Sequence, residues 1–382
     1  MKISALSLRS VVAAVAIATL LLTASVAGAQ SDADTIVAYL EQVRHQTGAP
    51  GVSAAVAVDG EIVFSGGTGF AELDNRTPAD GATVWNVGSV SKVMASIAIM
   101  QLVEQGKVAL VDDIRIYVPA FPDKGVPITL GQILTHTSGI RHYRDGEFGP
   151  HGLRSMRFFE DFDEAIQHFT DDPLLFEPGE LWLYSSHAYN LLQGVVEQTV
   201  GFGFEDYMRA YVWEPAGMLS SSFDVPSRVV HRRGHGYARD DDGTIVKSRY
   251  EDVSYKYAGG GMLSTVEDLV RMGAAINDGT LLGAEAVAEL HAPHIDPVMQ
   301  YRPDDEPREL PFKQALGWDL PTDVLGRPYI SKTGTVRGTR SVLINFPDHG
   351  VVVAMQANIA PFPILRHGMA IAQMFLPPVH AR

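Results

Sequence analysis

Two pairs of strand-like segments, one near each end of the chain, constrain the fold more than any other feature of the sequence. The first pair, Val52 to Val58 and Ile62 to Phe64, flanks Asp59-Gly60, a dipeptide that suits a two-residue hairpin turn. The second pair, Ser341 to Phe346 and Val351 to Met355, is separated by four residues rich in turn formers and also predicts a hairpin. We therefore expect an antiparallel sheet built from both chain ends.

The segments between these ends, and one after them, carry helical rather than strand periodicity. Glycines follow three of them, where helix stops belong. The predicted fold class is α/β, an antiparallel sheet flanked by helices, in one domain over residues 30–382 with a mostly helical insert at roughly 120–255. The helical segments are Ser89 to Gln105, Asp163 to Phe169, Ala188 to Val200, Phe204 to Tyr211, Thr265 to Asn277 and Ile364 to Phe375.

The first 29 residues have the pattern of a secretory signal peptide. Lys2 and Arg9 give a positive start, Val11 to Val26 gives an apolar run, and Ala27-Gly28-Ala29 matches a cleavage site. An uncleaved anchor is the alternative, but the run is shorter than the ~20 apolar residues that a spanning helix needs. We expect export to the periplasm or medium, and no membrane association after cleavage.

Charge and cysteine content exclude several classes of function. The 45 acidic and 30 basic side chains give a net charge of −15. An acidic surface repels nucleic-acid phosphates and anionic lipids, so we expect neither partner. The chain has no cysteine, which excludes disulfides, thiol nucleophiles and thiolate metal sites.

A serine and a lysine stand three residues apart at the start of a predicted helix, at Ser89 and Lys92. This spacing puts both side chains on one helix face, within reach of each other. A neutral lysine can then take the hydroxyl proton and activate the serine as a nucleophile. The helix continues with apolar residues on nearly every side, which indicates a buried helix and a partly desolvated lysine with a lowered pKa. Alone, the pattern also fits a capping serine beside an exposed lysine.

A second motif, Lys332-Thr333-Gly334-Thr335, follows a strand-like segment. Lys332 and Thr333 could bind a substrate carboxylate, and Gly334 would let the backbone approach the substrate closely. The N–H of Thr335 could pair with that of Ser89 as an oxyanion hole. In isolation, the motif fits a surface strand that ends in a polar turn.

The third motif is Tyr184-Ser185-Ser186, just before a predicted helix. A tyrosine near a lysine can have a lowered pKa and act as a general base or proton relay. Taken alone, it also fits a half-buried tyrosine whose hydroxyl is hydrogen-bonded.

The order of the three motifs resembles that of class C β-lactamases and their relatives. Those relatives include D-alanyl-D-alanine carboxypeptidases, D-aminopeptidases, class VIII esterases and LACTB-like proteases. The resemblance covers nearly all of the chain after the leader. Other segments that match it are Leu134 to Gly139, Glu177 to Gly179, Gly259 to Met262 and Ala315 to Trp318.

The resemblance implies a role for each motif residue. Ser89 matches the nucleophile, Lys92 its base and Tyr184 the proton relay. Lys332 matches the lysine that anchors the substrate. Ser186 departs from the class C pattern, in which an asparagine holds the side-chain carbonyl of the β-lactam, and serine is typical of the LACTB-like and esterase branches. A peptidase or esterase is therefore preferred over a β-lactamase.

Two alternatives stay open: a genuine β-lactamase, and a weakly catalytic penicillin-binding sensor or scaffold protein. The mechanism requires no cofactor, and the expected partner is a small-molecule or peptide substrate that could carry a free carboxylate. Five histidines in the middle of the chain lack the spacing of metal ligands, so we expect no metal. They are His136, His142, His151, His168 and His187.

Overall fold

The computed structural model describes residues 33–144, 146–147 and 156–378. The strands are β1 (Gly51–Val58), β2 (Glu61–Glu72), β3 (Thr77–Pro78), β4 (Trp85–Asn86), β5 (Ser222–Phe223), β6 (Tyr237–Arg239), β7 (Ile245–Lys247), β8 (Met262–Ser264), β9 (Val298–Gln300), β10 (Arg308–Leu310), β11 (Lys313–Gln314), β12 (Asp319–Leu320), β13 (Ile330–Val336), β14 (Thr339–Phe346) and β15 (Val351–Ala357). The helices are α1 (33–47), α2 (Ser91–Glu104), α3 (Leu130–Leu134), α4 (Phe162–Thr170), α5 (Ser186–Val200), α6 (Phe204–Tyr207), α7 (Tyr257–Gly260), α8 (Val266–Asn277), α9 (Ala284–His291) and α10 (Ile364–Gln373).

An eight-stranded antiparallel sheet joins the two ends of the chain in the order β11-β12-β13-β14-β15-β1-β2-β3. Strand β1 pairs with β15 from Val52–Ala357 to Val58–Val351, so the first and last long strands lie side by side. The β1–β2 turn has positive φ at Asp59 (50°) and Gly60 (86°), as a tight hairpin of this kind requires. The predicted fold class is confirmed.

The central strands are buried on both faces, and their side chains alternate between two cores. On β1, Val52, Ala54 and Val56 pack in one core with residues of α1 and α10. Ala55 and Ala57 point the other way and join the larger core, to which α2, α5 and α8 contribute. The sheet is therefore covered by helices on both sides.

Helix α2 lies at the centre of the larger core. Its residues from Ser91 to Leu102 are all buried, as the apolar sequence predicts. A 3-10 turn, Gly88–Val90, precedes it and carries Ser89. The three predicted glycine stops, Gly106, Gly201 and Gly279, all have positive φ, which glycine adopts without strain.

Helices α1, α3, α7 and α9 are additions to the predicted set. No helix within the described ranges is both long enough and apolar enough to cross a membrane. The predicted signal peptide lies outside the described residues and stays a prediction.

Candidate active site

The 3-10 turn that carries Ser89 packs directly against strand β13. A Cβ atom on Gly88, whose φ is +52°, would lie 2.6 Å from the backbone nitrogen of Thr335. A Cβ atom on Gly334 would lie 2.9 Å from the backbone nitrogen of Ser89 and 2.0 Å from the carbonyl oxygen of Val87. Only glycine fits at these two positions, and this close approach brings the two predicted oxyanion-hole amides, those of Ser89 and Thr335, to the same place.

Lys92 is fully buried at the start of α2, beneath the serine. Its Nζ lies 3.4 Å from Ser89 Oγ and 2.8 Å from Ser186 Oγ, and it donates a hydrogen bond to the Gly259 carbonyl. No carboxylate in the described part of the chain forms an ion pair with it. The structure therefore brings the predicted nucleophile and base together without a counter-charge.

Burial is the main influence on the protonation of Lys92. It lowers the pKa of Lys92 well below the ordinary value of a lysine, because a charged ammonium is poorly solvated inside the protein. The positive charges of Lys332 and Lys256 lower this pKa further. The amine is thus poised to be neutral, which is the form that can accept a proton.

Tyr184 lies between two lysines at the edge of the same site. Its ring centroid is 4.8 Å from Nζ of Lys92 and 5.3 Å from Nζ of Lys332. Burial raises the pKa of Tyr184, while the charge of Lys332 and a hydrogen bond with Ser89 act in the opposite direction. The net pKa is raised, contrary to the lowering expected beside a lysine, because burial outweighs the charge of Lys332. The phenol therefore keeps its proton, which fits a relay between other groups better than a phenolate base.

Two neutral histidines hold the Tyr184 to Ser186 segment in place. The backbone N–H of Ser185 donates to His136 Nδ1, and that of Ser186 donates to His142 Nδ1, both at 3.2 Å. Burial lowers the pKa of His136 far below its usual range and that of His142 to about 3, so both rings are neutral acceptors. Sequence reasoning gave His142 no such role.

Lys332 is almost completely buried, with 3% of its side chain exposed, and its Nζ lies 3.2 Å from Oδ1 of Asp319. The cleft above it has a volume of about 480 Å³. Every predicted site residue except the buried Lys92 lines this cleft. Its lining residues are Ser89, His142, Tyr143, Trp182, Tyr184, Ser186, Phe312, Asp319, Lys332, Thr333, Gly334 and Thr335.

A cluster of possible metal ligands, Glu147, His168 and His187, lies beside the cleft. Both ring nitrogens of His187 have neighbours: Nδ1 is 3.2 Å from His168 Nε2, and Nε2 is 3.1 Å from Nη1 of Arg141. Arg141 also donates two hydrogen bonds to Glu147. The guanidinium of Arg141 puts a fixed positive charge among these groups and contacts the side chains of Glu147 and His187. This charge would repel a metal cation.

Three groups of the site are absent from the sequence-based predictions. They are the Asp319 carboxylate, the Gly259 carbonyl and Lys256, which is buried behind Tyr143. Asp319 begins β12, which pairs with β13 at Ser331. The strand order of the sheet, rather than any local motif, puts Asp319 beside Lys332.

Comparison with known proteins identifies a matching family model, several relatives and a similar solved structure. The family model described as Beta-lactamase matches residues 36–373. The serine beta-lactamase-like protein LACTB, mitochondrial, from Homo sapiens is 29% identical over 85% of this chain and 74% of its own length. Esterase EstB from Burkholderia gladioli is 28% identical over 65% of this chain and 71% of its own. The octameric penicillin-binding protein homologue from Pyrococcus abyssi is a solved structure with a TM-score of 0.75 and 25% identity, covering 88% of this chain and 76% of its own.

Proposed function

Because the chain belongs to the beta-lactamase family of serine hydrolases, we propose that it hydrolyses amide or ester bonds through an acyl-enzyme formed on Ser89. The observation that carries this proposal is the fully buried Lys92, whose Nζ lies 3.4 Å from Ser89 Oγ with no carboxylate partner in the described residues. A lysine in such a place loses its charge and becomes a base.

In the acylation step, Ser89 Oγ attacks the substrate carbonyl and Lys92 takes the hydroxyl proton. A neutral amine has two N–H bonds and one lone pair. With the N–H bonds donated to the Gly259 carbonyl and Ser186 Oγ, the lone pair is left for Ser89. The oxyanion that forms on the carbonyl is stabilised by the backbone N–H groups of Ser89 and Thr335.

The leaving amine or alcohol must receive a proton as its bond to the carbonyl carbon breaks. Tyr184 keeps its phenolic proton and lies against Lys92, so it can donate to the leaving group and recover the proton from the lysine. Deacylation reverses these roles. Lys92 and Tyr184 take a proton from water, the water oxygen attacks the acyl carbon, and Ser89 is released with its hydroxyl restored.

Peptidase or esterase activity is preferred over β-lactamase activity. The Ser186 hydroxyl bonds to Lys92 at 2.8 Å and is part of the proton machinery. A serine side chain is also shorter than the asparagine of class C enzymes and lacks its amide. Two relatives support the same choice, because one is described as a LACTB protein and the other as an esterase.

Export is proposed on the leader pattern alone. If the leader is cleaved after Ala29, the exported protein begins at Gln30. Amino-terminal sequencing of the protein recovered outside the cytoplasm should therefore read Gln30 first. Recovery of Met1 at the amino terminus would contradict cleavage.

The proposed activity is tested with a panel of p-nitrophenyl esters, amino-acid amides, D-Ala-D-Ala peptides and nitrocefin. We expect turnover of esters or amides that is lost in Ser89→Ala, and little turnover of nitrocefin. Turnover that persists in Ser89→Ala would contradict the acyl-enzyme. Fast hydrolysis of nitrocefin alone would favour a genuine β-lactamase, and slow acylation without turnover would favour a penicillin-binding sensor.

A further inference from the structure

The Lys332–Asp319 ion pair presents its negative member to the cleft. The Asp319 side chain is 29% exposed, whereas that of Lys332 is 3% exposed. The lysine Nζ is covered by the ring of Tyr184, whose centroid lies 5.3 Å away. A group that enters the cleft at this end therefore meets the carboxylate before it can reach the ammonium.

The exposed carboxylate keeps one oxygen available. Lys332 bonds to Oδ1, and Oδ2 of Asp319 makes no hydrogen bond within the part of the chain that the structure describes. Aromatic rings of Tyr143, Trp182 and Phe312 line the same cleft, with Phe312 edge-on to Trp182 at 5.9 Å. Aromatic faces attract cations, and a carboxylate pairs with an ammonium through a charge-assisted hydrogen bond.

An anionic group would be unfavourable at this position. The charge of Lys332 is already compensated by Asp319, and a second carboxylate would lie beside the first. Arg340 is a further cation near the cleft, where it donates a hydrogen bond to Thr335 Oγ1. Arg340 pairs with Thr335 on β13, whereas Asp319 pairs with Ser331 on the same strand. Ser331 and Thr335 are four residues apart, which corresponds to about 13 Å along a strand.

We infer that the cleft selects substrates carrying an ammonium group that reaches the end of the cleft beside Lys332, and that Asp319 binds this group. The substrate class is that of esters, amides or peptides with a free amine. This inference rests on the proposed acyl transfer at Ser89, and it replaces the sequence-based expectation that Lys332 anchors a substrate carboxylate.

The test measures equilibrium binding to Ser89→Ala, so that turnover does not enter. The three probes have similar shapes and differ in charge: phenethylammonium, 3-phenylpropanamide and 3-phenylpropanoate. We expect calorimetry to show that the ammonium compound binds at least about 10-fold more tightly than the carboxylate, since a charged hydrogen bond is worth that much. Asp319→Asn should remove most of this preference.

Two further variants make the result specific. Asp296→Asn is the matched control, because Asp296 pairs with Lys313 at 2.6 Å on the surface and does not line the cleft. It should leave the preference unchanged. Lys332→Met should strengthen ammonium binding, because it leaves the charge of Asp319 uncompensated. If Lys332 instead anchors a substrate carboxylate, the same variant should bind the carboxylate compound more weakly.

The inference is overturned if the carboxylate compound binds as tightly as the ammonium compound, or if Asp319→Asn and Asp296→Asn behave alike. Labelling of wild-type Ser89 with a fluorophosphonate tests the chemistry separately. If Ser89 is labelled but the probes show no charge preference, the ammonium site is wrong and the proposed acyl transfer is unaffected. A charge preference without label on Ser89 defeats the proposed acyl transfer and leaves the ammonium site in place.

Discussion

Lys92 and Lys256 are both buried, and both contact helix α7, yet their surroundings differ. Lys92 donates to the Gly259 carbonyl of this helix and to a serine hydroxyl, with no carboxylate partner in the described residues. Lys256 immediately precedes the helix and forms an ion pair with Glu251, between the rings of Tyr143 and Tyr255. The two regions share a residue type and a degree of burial, and differ in the counter-charge.

The counter-charge determines what each lysine can do. Burial lowers the pKa of both, but Glu251 opposes this effect at Lys256, whereas the neighbours of Lys92 strengthen it. A buried lysine with a carboxylate partner stays charged, and removal of either partner alone destabilises the fold. A buried lysine without one becomes a base. Substitutions at the two positions should therefore separate activity from stability.

The largest expected effect is on activity, in Lys92→Met. Without the base, the rate of Ser89 acylation should fall by about 10²- to 10⁴-fold. The variant should be at least as stable as the wild type, because it no longer has to neutralise a buried amine. Acylation is measured by mass spectrometry with a fluorophosphonate, and the free energy of unfolding by urea titration.

Lys92→Arg is the matched control for this prediction. Arginine keeps the positive charge, but its pKa is too high for it to act as a base. It should therefore be as inactive as Lys92→Met. Acylation within 10-fold of the wild-type rate in Lys92→Arg would show that Lys92 is not the base.

The next effect is on stability, in Lys256→Met. Removal of the lysine leaves the Glu251 carboxylate, which is 19% exposed, with a hydrogen bond from the Tyr255 hydroxyl but without its counter-charge. This should cost about 3 kcal/mol of unfolding free energy. The rate of Ser89 acylation in the folded variant should fall by less than about 10-fold, since the charge of Lys256 is only one influence on Lys92.

The double variant Lys256→Met/Glu251→Gln separates the ion pair from simple packing. It should recover most of the lost stability, because no uncompensated charge remains. If Lys256→Met unfolds at the same urea concentration as the wild type, the contrast between the two lysines is wrong.

The smallest effect is expected for Ser186→Ala. Loss of the 2.8 Å hydrogen bond to Lys92 should slow acylation by about 2- to 10-fold, the range for one neutral hydrogen bond. Ser185→Ala is the matched control, because Ser185 caps α5 by accepting the N–H of Ala188. It should cost about 1 kcal/mol of stability and change the acylation rate less than Ser186→Ala does. The reverse order would show that Ser186 has only a structural role.

Local patterns carried the correct sequence-based predictions. The Asp59-Gly60 turn and the turn formers between Phe346 and Val351 act on neighbouring residues, and both hairpins were therefore predictable. The Ser89–Lys92 contact follows from helix geometry in the same way. Helix α1 also has a readable pattern, since Ile36, Leu40 and Val43 recur at helical spacing and are buried, but it is absent from the predictions.

Long-range contacts explain what the sequence did not predict. Asp319 and Lys332 are 13 positions apart in the sequence, and nothing between them indicates that the two side chains meet, because their contact depends on the pairing of β12 with β13. The Gly259 carbonyl reaches Lys92 across 167 residues. The direction of the Tyr184 pKa likewise depends on burial, which only the folded chain defines.

The pH dependence of fluorophosphonate labelling at Ser89 tests the central claim most directly, namely that Lys92 is a neutral base. Protonated Lys92 cannot accept a proton, so the rate should rise with pH through a midpoint well below the ordinary lysine value of 10.5 and then level off. In Lys332→Met the midpoint should move upwards, because a positive neighbour that lowers the pKa of Lys92 is gone. Label on a residue other than Ser89, or a rate that rises only near pH 10.5, would contradict the account.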